Sequence, residues 1–145
     1  KVLDFGIAKL TGDATVKTNT SAVMGTPAYM SPEQCLGLPV DARSDLYAVG
    51  ILGYEMLTGR PPFDAKETSR LLLCQVHEEV PPMAKAAPHV QVPRRVEQVI
   101  LRVLEKHPKD RYASARELAD ALLADVDPQE PGLLQSLRGL FRRRR

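Results

Sequence analysis

Two short stretches near the start of the chain have residue types and spacing that can do chemistry. Asp4 follows the apolar pair Val2-Leu3 and precedes Phe5 and Gly6. A hard carboxylate oxygen in that setting can hold Mg²⁺ on nucleotide phosphates while the phenyl ring packs beneath it. About twenty residues later comes Gly25-Thr26-Pro27-Ala28-Tyr29-Met30-Ser31-Pro32-Glu33. Between them, Thr15, Thr18, Thr20 and Ser21 offer hydroxyls that can carry phosphate, which would add about −1.5 to −2 charge to each site. Taken alone, Asp4 reads as a turn-capping aspartate, Asp-Phe-Gly as a chance tripeptide and the threonines as incidental. It is the recurrence of the two stretches at this separation that argues for chemistry.

The elements that must position these groups follow from periodicity. Residues 1–3 read as the end of a short strand and residues 11–22 as a small, polar loop. From Asp41, apolar residues recur at spacings of three and four (Leu46, Val49, Gly50, Gly53, Tyr54, Leu57) until Gly59 and Pro61-Pro62 stop the pattern. The opposite positions are also largely apolar, so this helix is expected to be buried. A second helix is predicted from about Lys66 to His77 around Leu72, Leu73 and Val76, and Pro81, Pro82, Pro88 and Pro93 then break the chain into a loop. A third helix follows Pro93, carrying Val96, Val99, Ile100, Val103 and Leu104. Ser114-Ala115-Arg116-Glu117 reads as a capping box opening a fourth, with Leu118, Ala121 and Leu122. The expected order is loop, then four helices, with no internal repeat.

Pro128 and Pro131-Gly132 mark a boundary. Beyond it Leu133, Leu134, Leu137, Leu140 and Phe141 share one helical face ahead of Arg142 to Arg145. This tail carries two readings: a solvated charged end, or a juxtamembrane segment that touches anionic lipid.

The chain has 145 residues, 43% hydrophobic and 26% charged, an average composition for one domain with a core, and this argues against disorder throughout. Cys35 and Cys74 have neither CxxC spacing nor a histidine cluster nearby, so reduced thiols are expected and no metal site. His77, His89 and His107 are scattered and read as surface or local structural residues. The longest nearly apolar run, Tyr47 to Leu57, includes Glu55 and falls short of the roughly 18–20 apolar residues that cross a bilayer. Residues 127–145 hold five arginines against two acids, a local +3 that leaves −1 of the total +2 for residues 1–126. The basic character belongs to the tail, which argues against a general nucleic-acid surface. Lys1 is neither an initiating Met nor the start of a leader, so the chain is expected to begin inside a domain with sequence upstream.

Asp4-Phe5-Gly6 and Ser31-Pro32-Glu33 resemble the motifs that open and close the activation segment of protein kinases. Met30-Ser31-Pro32-Glu33-Gln34 and the run from Leu46 to Leu52 are most similar to bacterial eukaryotic-type serine/threonine kinases. The resemblance covers residues 1 to about 126. It implies a mainly α, protein-kinase-like fold: the C-terminal portion of the large helical lobe, comprising the activation segment and the last four to five helices. Residues 127–145 would be a linker and basic amphipathic tail.

By the same resemblance Asp4 is the metal-binding residue, Asp4, Phe5 and Gly6 form the cofactor-binding motif, and ATP with Mg²⁺ is the implied cofactor pair. Thr26 matches the threonine placed beside the catalytic aspartate in serine/threonine kinases, against a plain turn-capping role. The loop around it matches the one that cups the residue after the phosphorylated hydroxyl. Thr18 and Thr20 match sites where bacterial members autophosphorylate. Glu33 matches a glutamate paired with an arginine, here Arg111, in a structural role. Asp45 matches the aspartate that begins the central helix and anchors the catalytic loop's backbone; the plain alternative is a helix N-terminal charge. Leu52 and Met56 match positions bearing internal hydrophobic columns, or are simply core.

The implied activity is transfer of the ATP γ-phosphoryl group to Ser/Thr hydroxyls of proteins. The Gly-rich loop, its lysine and glutamate, and the catalytic loop with its base are missing from the sequence, so the chain alone is expected to be inactive. The alternative is a pseudokinase or a non-catalytic protein-interaction module docking through the helix near Lys66 to His77. Implied partners are protein substrates and the N-terminal part of the same kinase, with no nucleic acid; membrane contact through the basic tail and a kinase dimer stay open. The implied location is cytoplasmic, with the cytoplasmic face of a membrane as the variant that the tail would favour.

Overall fold

The computed structural model describes residues 26–124, whose regular elements are all helical, with no strand among them. A 3₁₀ turn, Pro27–Tyr29, leads into a four-residue helix α1, Pro32–Cys35. The long helix α2, Ala42–Thr58, then runs through the centre. Helix α3 spans Thr68–His77, α4 Met83–Ala86 and α5 Arg94–Val103; a second 3₁₀ turn, Pro108–Asp110, precedes α6, Ala115–Leu123.

Local chemistry sets the helix ends. The Asp41 carboxylate accepts the Arg43 N–H at 2.7 Å and caps the start of α2. At its other end Gly59 adopts φ 81°, a left-handed conformation that costs an L-residue energy, and its N–H bonds the Glu55 carbonyl. At α6 the Ser114 hydroxyl accepts the Glu117 N–H, yet the Glu117 carboxylate turns to the Ala113 N–H rather than to that of Ser114, so only half of the expected box forms there. A complete capping box occurs instead at α1, between Ser31 and Gln34.

The core gathers on one side of α2. Leu46, Tyr47, Ile51 and Tyr54 pack with Met83, Val99, Ile100, Val103, Leu104, Tyr112 and Leu118. A Cβ at Gly50 would lie 2.5 Å from Val103 Cγ1, so the missing side chain is what lets α5 approach this closely. Tyr54 donates to the Pro81 carbonyl and Glu97 accepts the Met83 N–H, which holds the proline-rich stretch, including the short α4, against the core.

Two expectations are corrected. Helix α2 is not buried all round: Val49, Leu52 and Met56 are 51%, 48% and 47% exposed, so Leu52 and Met56 are not core here. With Asp45 they fall at i, i+4, i+7 and i+11, a single stripe facing away from α5. In α3 the fully buried side chains are Cys74 and Gln75; of the expected apolar positions Leu72 and Val76 are part-buried, while Leu73 is half exposed.

Candidate functional site

Thr26 is exposed, in extended backbone at φ −83°, and its side chain makes no capping bond to the turn that follows. Its carbonyl accepts the Tyr29 N–H at 3.0 Å, and the Pro27 carbonyl accepts that of Met30. Proline at the first position of this turn presets φ and has no N–H to satisfy. The result is a tight, small-residue ledge of which Pro27 and Ala28 are the middle. Tyr29 donates its hydroxyl to Glu55 on α2 at 2.6 Å; that bond, with burial, raises the phenol above its ordinary range.

Below the ledge, the structure brings Glu33 and Arg111 together. Both are buried, at 4% and 3% exposure, and the guanidinium meets the carboxylate with two bonds of 2.8 Å. Ser44 Oγ donates to the same carboxylate at 2.6 Å. The remaining Arg111 hydrogens go to the carbonyls of Glu105, Arg43 and Lys106, so all five donors are used. The guanidinium also lies 4.8 Å from the Tyr47 ring centre. Burial acts against charge on Glu33, but the bonds from Arg111, Ser44 and its own backbone outweigh it and hold the carboxyl down at about 2.

Several residues of this network were not singled out from the sequence. Gln75 is fully buried and bonds both Tyr47 and the ledge backbone. Lys106 Nζ donates to the Gln75 carbonyl at 2.9 Å, near the C-terminal end of α3, and sits 4.5 Å from the Phe63 ring centre. Burial first, and then Arg111, pull this ammonium down to about 8. The one signal available for Gln75 was a polar residue flanked by Leu73, Cys74 and Val76.

Asp45 lies in the first turn of α2, exposed, and its carboxylate has no partner among the described residues. Asp4, Phe5, Gly6, Thr18 and Thr20, and the tail from Asp127, lie outside the described residues. Among those described, no group of three or more His, Cys, Asp or Glu side chains could hold a metal ion, and no helix is long and apolar enough to cross a membrane. Cys35 and Cys74 are free thiols, Cys74 buried, and all three histidines are exposed.

The protein kinase domain family matches residues 1–123. This chain belongs to the protein kinase family. Its relatives include the serine/threonine-protein kinase Pkn1 of Myxococcus xanthus, 46% identical over 84% of this chain and 17% of that protein. A probable serine/threonine-protein kinase PknB of Corynebacterium glutamicum is 45% identical over 82% of this chain and 19% of that protein. The serine/threonine-protein kinase pkn3 of Myxococcus xanthus is 45% identical over 89% and 24%. The chain thus spans about a fifth of the length of the curated relatives it matches. Kinases of this family use ATP with a divalent metal ion, and the helical architecture agrees with the C-terminal part of their large lobe.

Proposed function

We propose that residues 1–126 form the activation segment and substrate-binding half of a serine/threonine kinase's large lobe. The whole protein would transfer the γ-phosphoryl group of ATP to Ser or Thr hydroxyls of proteins. The observation that supports this best is the buried Glu33–Arg111 pair, which fastens the loop bearing Thr26 to the helical body while leaving Thr26 itself exposed. An exposed ledge on a rigid base is what a substrate segment needs to be held in line with phosphate.

In this reading Asp4 holds Mg²⁺ on the nucleotide, with Phe5 packed beneath and Gly6 as the hinge. Thr26 stands beside the carboxylate that takes the substrate's hydroxyl proton, while Pro27 to Tyr29 receive the residue after the acceptor. Thr18 and Thr20 take regulatory phosphate. The bare stripe Asp45, Val49, Leu52 and Met56 fits a surface completed by the rest of the lobe, with Asp45 accepting N–H groups of the catalytic loop. That loop and its base are missing from these 145 residues, so the chain alone would transfer nothing. The test is γ-labelled ATP with a generic protein substrate. Transfer by the whole protein, lost in Asp4→Asn and absent for residues 1–145 alone, is expected; label transfer undiminished in Asp4→Asn would refute the assignment.

A further inference from the structure

Gln75 is a primary amide with 0% exposure in the middle of the domain, a position usually filled by an apolar residue. Its amide is used at both ends. Nε2 donates to the Ala28 carbonyl at 2.8 Å and to the Pro27 carbonyl at 3.4 Å, and Oε1 accepts the Tyr47 hydroxyl at 2.8 Å. Its backbone carbonyl in turn receives Lys106 Nζ. The ledge has few anchors of its own, because Pro27 has no N–H and Ala28 only a methyl. Gln75 supplies side-chain donors to both of their carbonyls from beneath. Tyr47, on the far side of the amide, is the ring over which Arg111 lies, so the ledge is tied through Gln75 to the same frame that holds Glu33.

We propose that Gln75 is a positioning residue for substrate selection: it sets the height and orientation of the backbone at Pro27 and Ala28, and thereby which side chain is accepted after the phosphorylated hydroxyl. The inference rests on the reading of residues 26–29 as the substrate ledge. Gln75→Leu removes the donors and leaves the Tyr47 hydroxyl and the Ala28 carbonyl unpaired, while the Pro27 carbonyl keeps only the Met30 N–H. Adding Tyr47→Phe removes the orphan hydroxyl, which should return most of the lost stability without restoring the donors to the ledge.

The experiment measures peptide and ATP kinetics of the whole kinase, with a peptide set varied at the position after the acceptor. For Gln75→Leu the peptide KM should rise about tenfold, the equivalent of one to two neutral hydrogen bonds, with kcat and the KM for ATP within about twofold of wild type and an altered preference at the varied position. The double variant should recover melting temperature but keep the raised peptide KM and the altered preference. Should peptide KM recover together with melting temperature, Gln75 is structural only and the proposal fails. It fails equally when Gln75→Leu leaves KM and preference unchanged. Ala28→Val separates the two layers: if it shifts the preference and Gln75→Leu does not, only the role of Gln75 falls; if neither does, the ledge reading falls with it.

Discussion

Replacing Arg111 by Met keeps most of its apolar stem while deleting the guanidinium, and the loss can be worked from its contacts. Glu33 would keep the Ser44 hydroxyl but lose two charge-assisted bonds at a site only 4% exposed. The carbonyls of Glu105, Arg43 and Lys106 would lose a donor each. Breaking a buried pair from one side costs about 3–5 kcal/mol. In a kinase domain of ordinary size that is a fall in Tm of roughly 6–20 °C. The pH dependence identifies the cause. In the wild type, Glu33 sits at about 2 against an ordinary 4.5, so its contribution is present above 4.5 and is lost as pH falls toward 2. Without Arg111, burial dominates and lifts the Glu33 carboxyl above its ordinary value. Protonating it then relieves the strain, so the difference between variant and wild type should shrink from pH 7 to pH 5. Thermal unfolding of the whole kinase domain at both pH values, together with Glu33→Gln and the double variant, measures this. The double variant should lose less than the sum of the singles, with a coupling of about 2 kcal/mol or more. A Tm change under about 2 °C at pH 7, or a loss that does not shrink at pH 5, would show that the pair does not act as argued.

On the alkaline side, Lys106 lies at about 8 against 10.5, so the unfolded chain holds more protons and stability should rise between pH 8 and 9. Above pH 9 burial of the Cys35 thiol, pushed up to about 11, works in the opposite sense and the rise should flatten; a monotonic fall from pH 8 in denaturant titrations would contradict this. Gly50→Ala places a methyl 2.5 Å from Val103 Cγ1 and should cost about 1–3 kcal/mol despite alanine's better helix propensity, read as a lowered denaturation midpoint; a stabilised variant would show that α5 gives way freely. Leu52→Asp together with Met56→Asn should make residues 1–145 more soluble on their own yet lower the Tm of the whole kinase. Equal behaviour in the two settings would mean that the stripe has no covering partner.

The helical frame was legible in the sequence because its signals are local. Asp41 caps, Gly59 stops, prolines interrupt, and the apolar spacing of α2 and α5 belongs to one turn at a time. Where the reading went astray, the deciding contacts lay far away in sequence. Leu73 has the spacing of an interior position of α3, but the helix is rotated so that Cys74 and Gln75 are buried and Gln75 faces the ledge and α2. The exposed stripe on α2 could not be told from core by periodicity, since exposed and covered apolar residues have the same spacing along a helix.

By itself, then, the sequence determined the family, the order of the four longer helices though not the short α1 and α4, and the residue types at Asp4, Thr26, Glu33, Asp45 and Arg111, because these depend on short motifs and near-neighbour periodicity. Tertiary structure alone decided that all five donors of Arg111 are used, that the Glu33 carboxyl is held down at about 2 and the Lys106 ammonium pulled down to about 8, and that a buried glutamine bonds the ledge backbone. Those properties depend on which groups burial strips of water and which partners, 47 and 78 residues away in the chain, then stand within hydrogen-bond reach.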